Sequence, residues 1–305
     1  MEMIKKYLEL YEKTYQKFIY EKMNQEFHEL INISQQRLSV LTRKLEMSGI
    51  SPREIDKEDL LVIWFTIFTT KGKEVPKIVY DYKLLYHLLH YLMQEQEDYN
   101  QKLNNINGYE NELKQLELEG EFVIVNKEKE TLKSLLAHHE EACKIKLRIR
   151  LLNEAVNSIK IILESVDKFQ RVVDNTKNWN NFDILSRGLL LSITKTPEFR
   201  NTETLVKELY YRGNKLMRTL KTINYYTNLQ INLQEFKELY YYIENHLYDD
   251  LKEQESLRKV LDQAEHYPLV LTKLLETLMK YKDKYLQELL EIEKAKQNLF
   301  MQVIA

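Results

Sequence analysis

Apolar residues recur along most of this chain at alternating steps of three and four residues, which places their side chains on one face of an α-helix. The first such stretch covers residues 3–47 and includes Ile4 near its start and Leu45 near its end. Its phase slips once, between Ile19 and Phe27, as in a stutter that locally relaxes a coiled coil. The pattern predicts one long amphipathic helix.

Two further stretches carry the same signal. Residues 127–174 keep the most regular register in the chain, because every step between seam positions is three or four residues. Residues 269–303 also keep a seam, and Lys282 and Lys296 fall on it, which favours a partly solvated interface. Weaker patterns predict helices over residues 52–70, 76–118, 182–193 and 202–248.

Polar and turn-forming residues separate the predicted helices. After the first helix, Gly49 suits a left-handed C-cap. Ser51 is then a good N-cap, Pro52 suits the first helical position and Glu54 completes a capping box. Further breaks are predicted at residues 119–121, 175–183, 194–197 and 265–268, with a weak point at 104–108.

The scarcity of turn residues sets the fold class. The chain has 6 Gly and 4 Pro in 305 residues, whereas sheet-rich folds need frequent turns. We expect an all-α fold, an elongated antiparallel bundle of long helices with coiled-coil-like packing, in which residues 122–125 fit a short strand or an extended connector. We expect one domain over residues 1–305, with a subdivision into long-helix hairpins at 1–175 and a helical bundle at 176–305. The heptads would also suit an intermolecular coiled coil.

Charge and cysteine content exclude several classes of protein. Lys and Arg number 45 against 47 Asp and Glu, so no global field draws the chain to nucleic acid or to an anionic membrane. Cys143 is the single cysteine, which excludes an internal disulfide framework and fits a reducing compartment. The N-terminus shows no signal peptide and no apolar run reaches membrane-spanning length, so we expect a cytoplasmic protein.

Catalytic motifs are missing from the sequence. The closest pair of glycines is twelve residues apart, which excludes the common phosphate-binding loops and the nucleophile elbow. No H-E-x-x-H motif occurs, and no histidine follows a glutamate by three residues as in di-iron bundles. We therefore expect no enzymatic activity and no cofactor.

Residues 138–143 form the one run that is rich in metal-ligand side chains. His139 and Cys143 are four residues apart on one helix face, and His138 and Glu141 are three apart, so either pair offers two ligands. Sequence alone favours the alternative, in which His138 fills a seam position and the rest of the run is solvated surface. For Cys143, the position on a heptad helix favours a small core or flank residue over a nucleophile. His87 and His90 are also three apart, and we expect these to pack rather than bind metal.

The charge distribution is uneven. Residues 184–234 hold eight basic and three acidic residues, and tyrosines interleave with them. This region suits binding to nucleic acid or lipid phosphates. Residues 94–121 have a net charge of −6, so the alternative is that the two regions face each other in the bundle or across a dimer. The candidate anion-binding side chains are Arg212, Lys215, Arg218 and Lys221.

An apolar run over residues 60–70 is hydrophobic on all sides, unlike an amphipathic surface helix. It fits a central core helix, a strand, or a tongue that inserts into membranes. Its large apolar side chains are Leu60, Leu61, Val62, Ile63, Trp64, Phe65, Ile67 and Phe68.

The sequence therefore favours a non-enzymatic structural or interaction protein: a scaffold, adaptor or assembly subunit. We expect it to bind protein partners, or copies of itself, through its helical faces. The first alternative is a membrane-associated or pore-forming helical protein that uses residues 60–70. The second is nucleic-acid binding through residues 184–234.

Overall fold

The computed structural model describes residues 2–55, 74–120, 129–177, 197–227, 229, 231–245 and 254–304, and these contain eight α-helices and no strand. The expected all-α fold, in which long helices pack against one another, is confirmed. The helices are α1 (Glu2–Thr14), α2 (Lys17–Met47), α3 (Pro52–Ile55), α4 (Glu74–Gly120), α5 (Lys129–Lys177), α6 (Pro197–Thr227), α7 (Gln234–Asn245) and α8 (Gln254–Ile304).

The chain forms two compact units, each built from separate stretches of sequence. The first unit comprises Met1–Leu30, Met93–Glu154 and Thr277–Ala305. The second comprises Ile31–Leu92 and Ala155–Glu276. The expected segment 122–125, the apolar run 60–70 and the predicted helix 182–193 lie outside the described residues.

The helix end at Gly49 is confirmed in detail. Gly49 has a φ of 75°, in the left-handed region. The amide of Gly49 donates to the carbonyl of Glu46 at 3.0 Å, and the amide of Ile50 donates to the carbonyl of Leu45, also at 3.0 Å. This is the bond pattern of a Schellman motif, and the motif's usual hydrophobic contact is present because Ile50 packs against the core cluster that contains Leu45. Pro52 then begins α3, as predicted.

Two predicted long helices are interrupted. The first breaks at Tyr15 and Gln16, between α1 and α2, and not at the phase slip further on. No Gly or Pro marks this position. Thr14 donates from its hydroxyl to the carbonyl of Tyr11 at 3.0 Å, and the amide of Tyr15 donates to the same carbonyl. Such side-chain competition for a helical carbonyl is known to bend helices.

The predicted helix over residues 202–248 is also wrong as a single element, because α6 ends at Thr227 and α7 begins at Gln234. Asn224 stabilises the connection with two hydrogen bonds to Ile231. Its side chain accepts from the amide of Ile231 at 3.0 Å and donates to the carbonyl of the same residue at 3.1 Å. Asn232 then accepts from the amide of Gln234 at 3.0 Å and starts α7. Polar side chains thus replace the helical bonds of the backbone.

The predicted break at residues 265–268 is wrong in the opposite sense, because α8 runs through Pro268. A proline inside a helix removes one backbone hydrogen bond and costs about 3 kcal/mol. Burial on both sides offsets this cost, because Tyr267, Val270 and Leu271 are buried. Packing therefore overrides the local preference of the proline for a helix end.

In the first unit, the contacts between helices give their relative directions. Lys6 of α1 contacts Glu112 of α4, and Asn24 of α2 contacts Asn100 of α4. Residue numbers rise along α1 and α2 while they fall along α4, so α4 is antiparallel to both helices. By the same test α5 is parallel to α1 and antiparallel to α8. The contacts are Leu8–His139 and Glu12–Lys146 between α1 and α5, and Lys146–Glu293 and Arg148–Tyr285 between α5 and α8.

The core of the second unit includes a cluster around the end of α2. Leu45, Ile55, Val79 and Tyr82 are buried together, so α2, α3 and the first turns of α4 share one apolar contact. The Schellman motif at Gly49 makes the reversal that brings α3 into this contact.

We expect Gly49→Ala to lower the free energy of unfolding by about 1–2 kcal/mol, because an L side chain is strained at a left-handed φ. No atom lies within 4 Å of the added Cβ, so the cost comes from the backbone alone. The matched control is Gly108→Ala inside α4, which also meets no atom within 4 Å and should stabilise by about 0.5–1 kcal/mol. Urea unfolding measures both, and effects of the same sign at the two sites would contradict the assignment of the helix end.

Candidate functional site

Three side chains with different metal-ligand chemistry meet in the first unit. Glu12 of α1 and His139 and Cys143 of α5 each offer a donor atom, and these atoms lie within 4.8 Å of one another. His139 and Cys143 are 4% and 3% exposed, whereas the Glu12 side chain is 36% exposed. The group is therefore closed on the α5 side and reached by solvent from α1.

The helices explain how these residues come together. His139 and Cys143 are four residues apart, which is about one helical turn, so they share one face of α5. Glu12 comes from α1, which runs parallel to α5, and no spacing in the sequence connects it to the other two. The sequence therefore identified the pair on α5 and missed the third member.

The structure also corrects which histidine is buried. The sequence pattern predicts His138 on the seam and the neighbouring residues on solvated surface, but His139 is buried and His138 is half-buried. Cys143 is buried, which agrees with its expected place as a small core or flank residue. His138 Nδ1 lies 2.8 Å from the carbonyl of Ser134 in its own helix. The buried face of α5 is wider than a two-position seam, because α5 packs against several helices.

His139 is held in one orientation by α1. Its Nε2 lies 2.8 Å from the carbonyl oxygen of Leu8, which can only accept, so Nε2 carries the proton. Its Nδ1 is buried and has no hydrogen-bond partner among the described residues. Burial, aided by the charge of Lys296, lowers the pKa of His139, so the imidazole is neutral near pH 7.

Cys143 lies next to this imidazole. Its Sγ is 3.7 Å from Nε2 of His139. Burial raises the pKa of the Cys143 thiol to about 12, so the sulfur is protonated at neutral pH. A thiol in this state is a poor nucleophile, in contrast to the low-pKa cysteines of catalytic sites.

Three charged groups surround the cluster, two lysines and Glu293, and together with Glu12 they neutralise one another. Lys146 donates to Glu12 at 2.7 Å and lies 3.5 Å from Glu293 of α8. Lys296, whose side chain is 11% exposed, donates to Glu293 at 3.0 Å. Burial works to raise the pKa of Glu293, but bonds from Lys296 and Lys146 hold it below its usual value. The expected seam lysine is thus accommodated by a partner on its own helix.

The candidate anion-binding side chains do not share an exposed face. Arg218 is buried and donates to Asn214, and Arg212 donates to Glu208. Lys215 is half-buried and Lys221 is exposed. Four residues at steps of three turn by about 60° per step, which spreads them around the helix.

The tyrosines and acids of the charged regions also have partners. Tyr211 stacks on Tyr91 at 4.1 Å between ring centroids, so its ring is engaged in packing within the second unit. In the acidic region, Glu110 pairs with Lys17 at 2.6 Å. Part of the negative charge is therefore balanced by α2.

A line of exposed apolar side chains runs along the outer face of α8. We call it the α8 stripe. Successive members are seven, four and eleven residues apart, which places them within about 60° of each other around the helix. Its members are Met279, Leu286, Leu290 and Met301, which are all exposed.

Comparison with known proteins adds no relative. No protein-family model, no curated protein and no solved structure matches the chain. Among the described helices, none holds an apolar stretch long enough to cross a membrane.

The second histidine pair lies in α4. His87 is half-buried in the second unit, and burial together with the charges of Lys207 and Lys83 lowers its pKa to about 4. His90 is exposed. Two nearby ammonium groups disfavour a cation at His87.

We expect the free energy of unfolding to fall as the pH is lowered from about 6.5 toward 4. The pKa of His87 is lower in the folded chain than in the unfolded chain, so the unfolded state binds more protons in this range and acid favours unfolding. His87→Gln should remove about 1 kcal/mol of the loss between pH 7 and pH 5. Urea unfolding at both pH values tests this, and parallel curves for His87→Gln and the parent would refute it.

Proposed function

We propose that this chain is a non-enzymatic helical interaction protein, a scaffold, adaptor or assembly subunit that binds a partner through a helical face. The α8 stripe is the observation that supports this proposal. Leu290 and Met301 are 55% and 64% exposed, although large apolar side chains gain free energy by leaving water. Single exposed apolar residues are ordinary, but a line of them along one helix is typical of a docking surface.

The stripe is distinct from the packing face of α8. Leu278 and Tyr285 are buried, and they lie about 100° or more around the helix from Leu290. The helix is therefore apolar on two faces, of which the described part of the chain covers one. Steps of seven and four residues are those of a heptad seam, so the structure that fits best against this face is another amphipathic helix.

The stripe also indicates something of its partner. Asp283 is exposed and lies on the same line, between Met279 and Leu286. A helix that pairs with this face would place Lys or Arg opposite Asp283 and Leu, Ile or Met opposite its neighbours. A charged position within an apolar seam weakens binding but fixes the register.

The buried polar groups of the first unit support a non-enzymatic role. The Cys143 thiol has a pKa of about 12, and Glu12 and Glu293 are engaged by Lys146 and Lys296. Groups tied into such pairs are poorly placed to act as bases or nucleophiles. A cytoplasmic location belongs to the same proposal, because a lone buried thiol suits a reducing compartment.

We expect Leu290→Glu to reduce partner recovery about tenfold or more, because it places a charge in the middle of the apolar face. The variants are tagged and purified from the native host with and without nuclease, and the bound proteins are quantified by mass spectrometry. Sedimentation of the purified chain measures self-association in parallel. Leu290 is exposed, so the variant should unfold at the same urea concentration as the parent.

Gln287→Glu is the matched control, because it adds the same charge on an exposed position of α8 next to the stripe. A partner or dimer retained by this control and lost from Leu290→Glu supports docking at the stripe. Equal recovery with all three proteins would exclude the stripe as the binding surface. A partner released by nuclease would instead favour the nucleic-acid alternative.

A further inference from the structure

We propose that Glu12, His139 and Cys143 form a binding site for a zinc ion. The proposal is independent of the α8 stripe and of the interaction role inferred from it. It rests on the convergence of a carboxylate, an imidazole and a thiol from two helices, with all donor atoms within 4.8 Å of one another.

The kinds of donor select the metal. Zinc is bound by Cys thiolate, His nitrogen and Glu oxygen, usually in tetrahedral geometry. Cys143 is a protonated thiol in the metal-free chain, so it releases its proton to water when the Zn–S bond forms. Calcium and magnesium prefer sites built only from oxygen, and soft thiolate ligands disfavour them. Three protein donors leave the fourth position of a tetrahedral ion to water.

The spacing on α5 suits such an ion. Tetrahedral zinc, with a Zn–N distance of about 2.0 Å and a Zn–S distance of about 2.3 Å, separates the two donors by about 3.5 Å. Cys143 Sγ lies 3.7 Å from Nε2 of the His139 ring, so the imidazole and the thiol are already in contact. Nε2 is the nitrogen that donates to Leu8, so the nitrogen left to bind the ion is Nδ1 of the same ring. The two ligands on α5 thus come from neighbouring turns of one rigid helix, and the ring must adjust to bring Nδ1 to the ion. Glu12 has a half-exposed side chain that can adjust.

The buried imidazole supplies a second, independent sign. His139 is 4% exposed, and its Nδ1 has no hydrogen-bond partner within the described part of the chain. A buried nitrogen without a partner costs stability, so packing alone does not explain a histidine here. One ring nitrogen bound to a metal and the other donating to a backbone carbonyl is the usual arrangement of a zinc-ligating histidine, and a carbonyl, that of Leu8, already lies 2.8 Å from Nε2.

The surrounding charges can adapt to the ion. Lys146 now pairs with Glu12 at 2.7 Å and would compete for its carboxylate. Glu293 lies 3.5 Å from the same ammonium and can take it over. The loss of one ion pair is thus compensated within the cluster, and Glu12 becomes available as a ligand.

The test uses Co²⁺ as a spectroscopic substitute for zinc, on the full-length chain after treatment with a chelator. Thiolate bound to Co²⁺ gives a charge-transfer band in the near ultraviolet, and Cys143 is the only cysteine, so a band identifies its sulfur as the ligand. We expect one equivalent of Co²⁺ to produce the band and one equivalent of Zn²⁺ to remove it. Absence of the band at saturating Co²⁺ would overturn the proposal.

Variants locate the site. Cys143→Ser should abolish the band. His139→Gln and Glu12→Gln should each weaken Zn²⁺ binding by more than about 100-fold, since mutation of residues that only support a ligand costs about 10- to 100-fold. His138→Gln is the matched control, because it removes the neighbouring histidine, whose Nδ1 lies 2.8 Å from the carbonyl of Ser134 in its own helix. Its affinity should equal that of the parent.

Circular dichroism first verifies that each variant is folded. Glu12→Gln changes a half-exposed side chain and keeps the site testable if the buried substitutions fail to fold. Zn²⁺ affinity that is unchanged in Glu12→Gln and Cys143→Ser would mean that the ion binds elsewhere and would overturn the proposal. An equal loss in His138→Gln would overturn it too.

Discussion

Close packing along the buried face of α5 is the constraint on which the rest of the structure depends. Ala142, Leu152, Ala155 and Ile159 on this face are completely buried. Small alanines at two of these positions let neighbouring helices approach closely, and the large aliphatic side chains fill the space between. Residues 129–154 of α5 belong to the first unit and residues 155–177 to the second, so α5 supplies buried side chains to the core of each unit.

Polar residues interrupt this apolar packing at one level of the first unit. Lys146 lies between Glu12 and Glu293 and so ties α5 to α1 and α8. Partly buried ion pairs add little net stability, because the cost of removing charges from water offsets their attraction. They do penalise other registers, since a shift of one helix would leave a buried charge without a partner. The network is therefore better understood as setting the register of three helices than as a source of stability.

Sequence periodicity predicted α4 and α5 closely, because an apolar face repeats over many residues and small errors average out. The C-cap at Gly49 was also predictable, since a left-handed residue is a local requirement. Features that depend on contacts between residues far apart in the sequence were not predictable. Pro268 looks like a helix end, but burial of Tyr267 and Leu271 keeps the helix intact. Asn224 ends α6 by bonding a residue seven positions later, and Glu12 meets His139 only through the packing of α1 on α5.

Packing alone does not account for the buried pair His139 and Cys143 on α5, because a buried histidine lowers stability. An aliphatic residue at position 139 would fill the same core and leave no nitrogen without a partner, whereas a buried unsatisfied polar group costs about 1–3 kcal/mol. The thiol of Cys143 packs as a small apolar group and bears no such cost. The argument for a ligand therefore rests on His139 and on the carboxylate beside it. If the histidine served only to fix α1 through Leu8, a single donor would be enough, and a second, unpaired nitrogen would be a defect. A bound cation would give Nδ1 of His139 a partner, and the imidazole is therefore the strongest sign that this cluster binds a ligand.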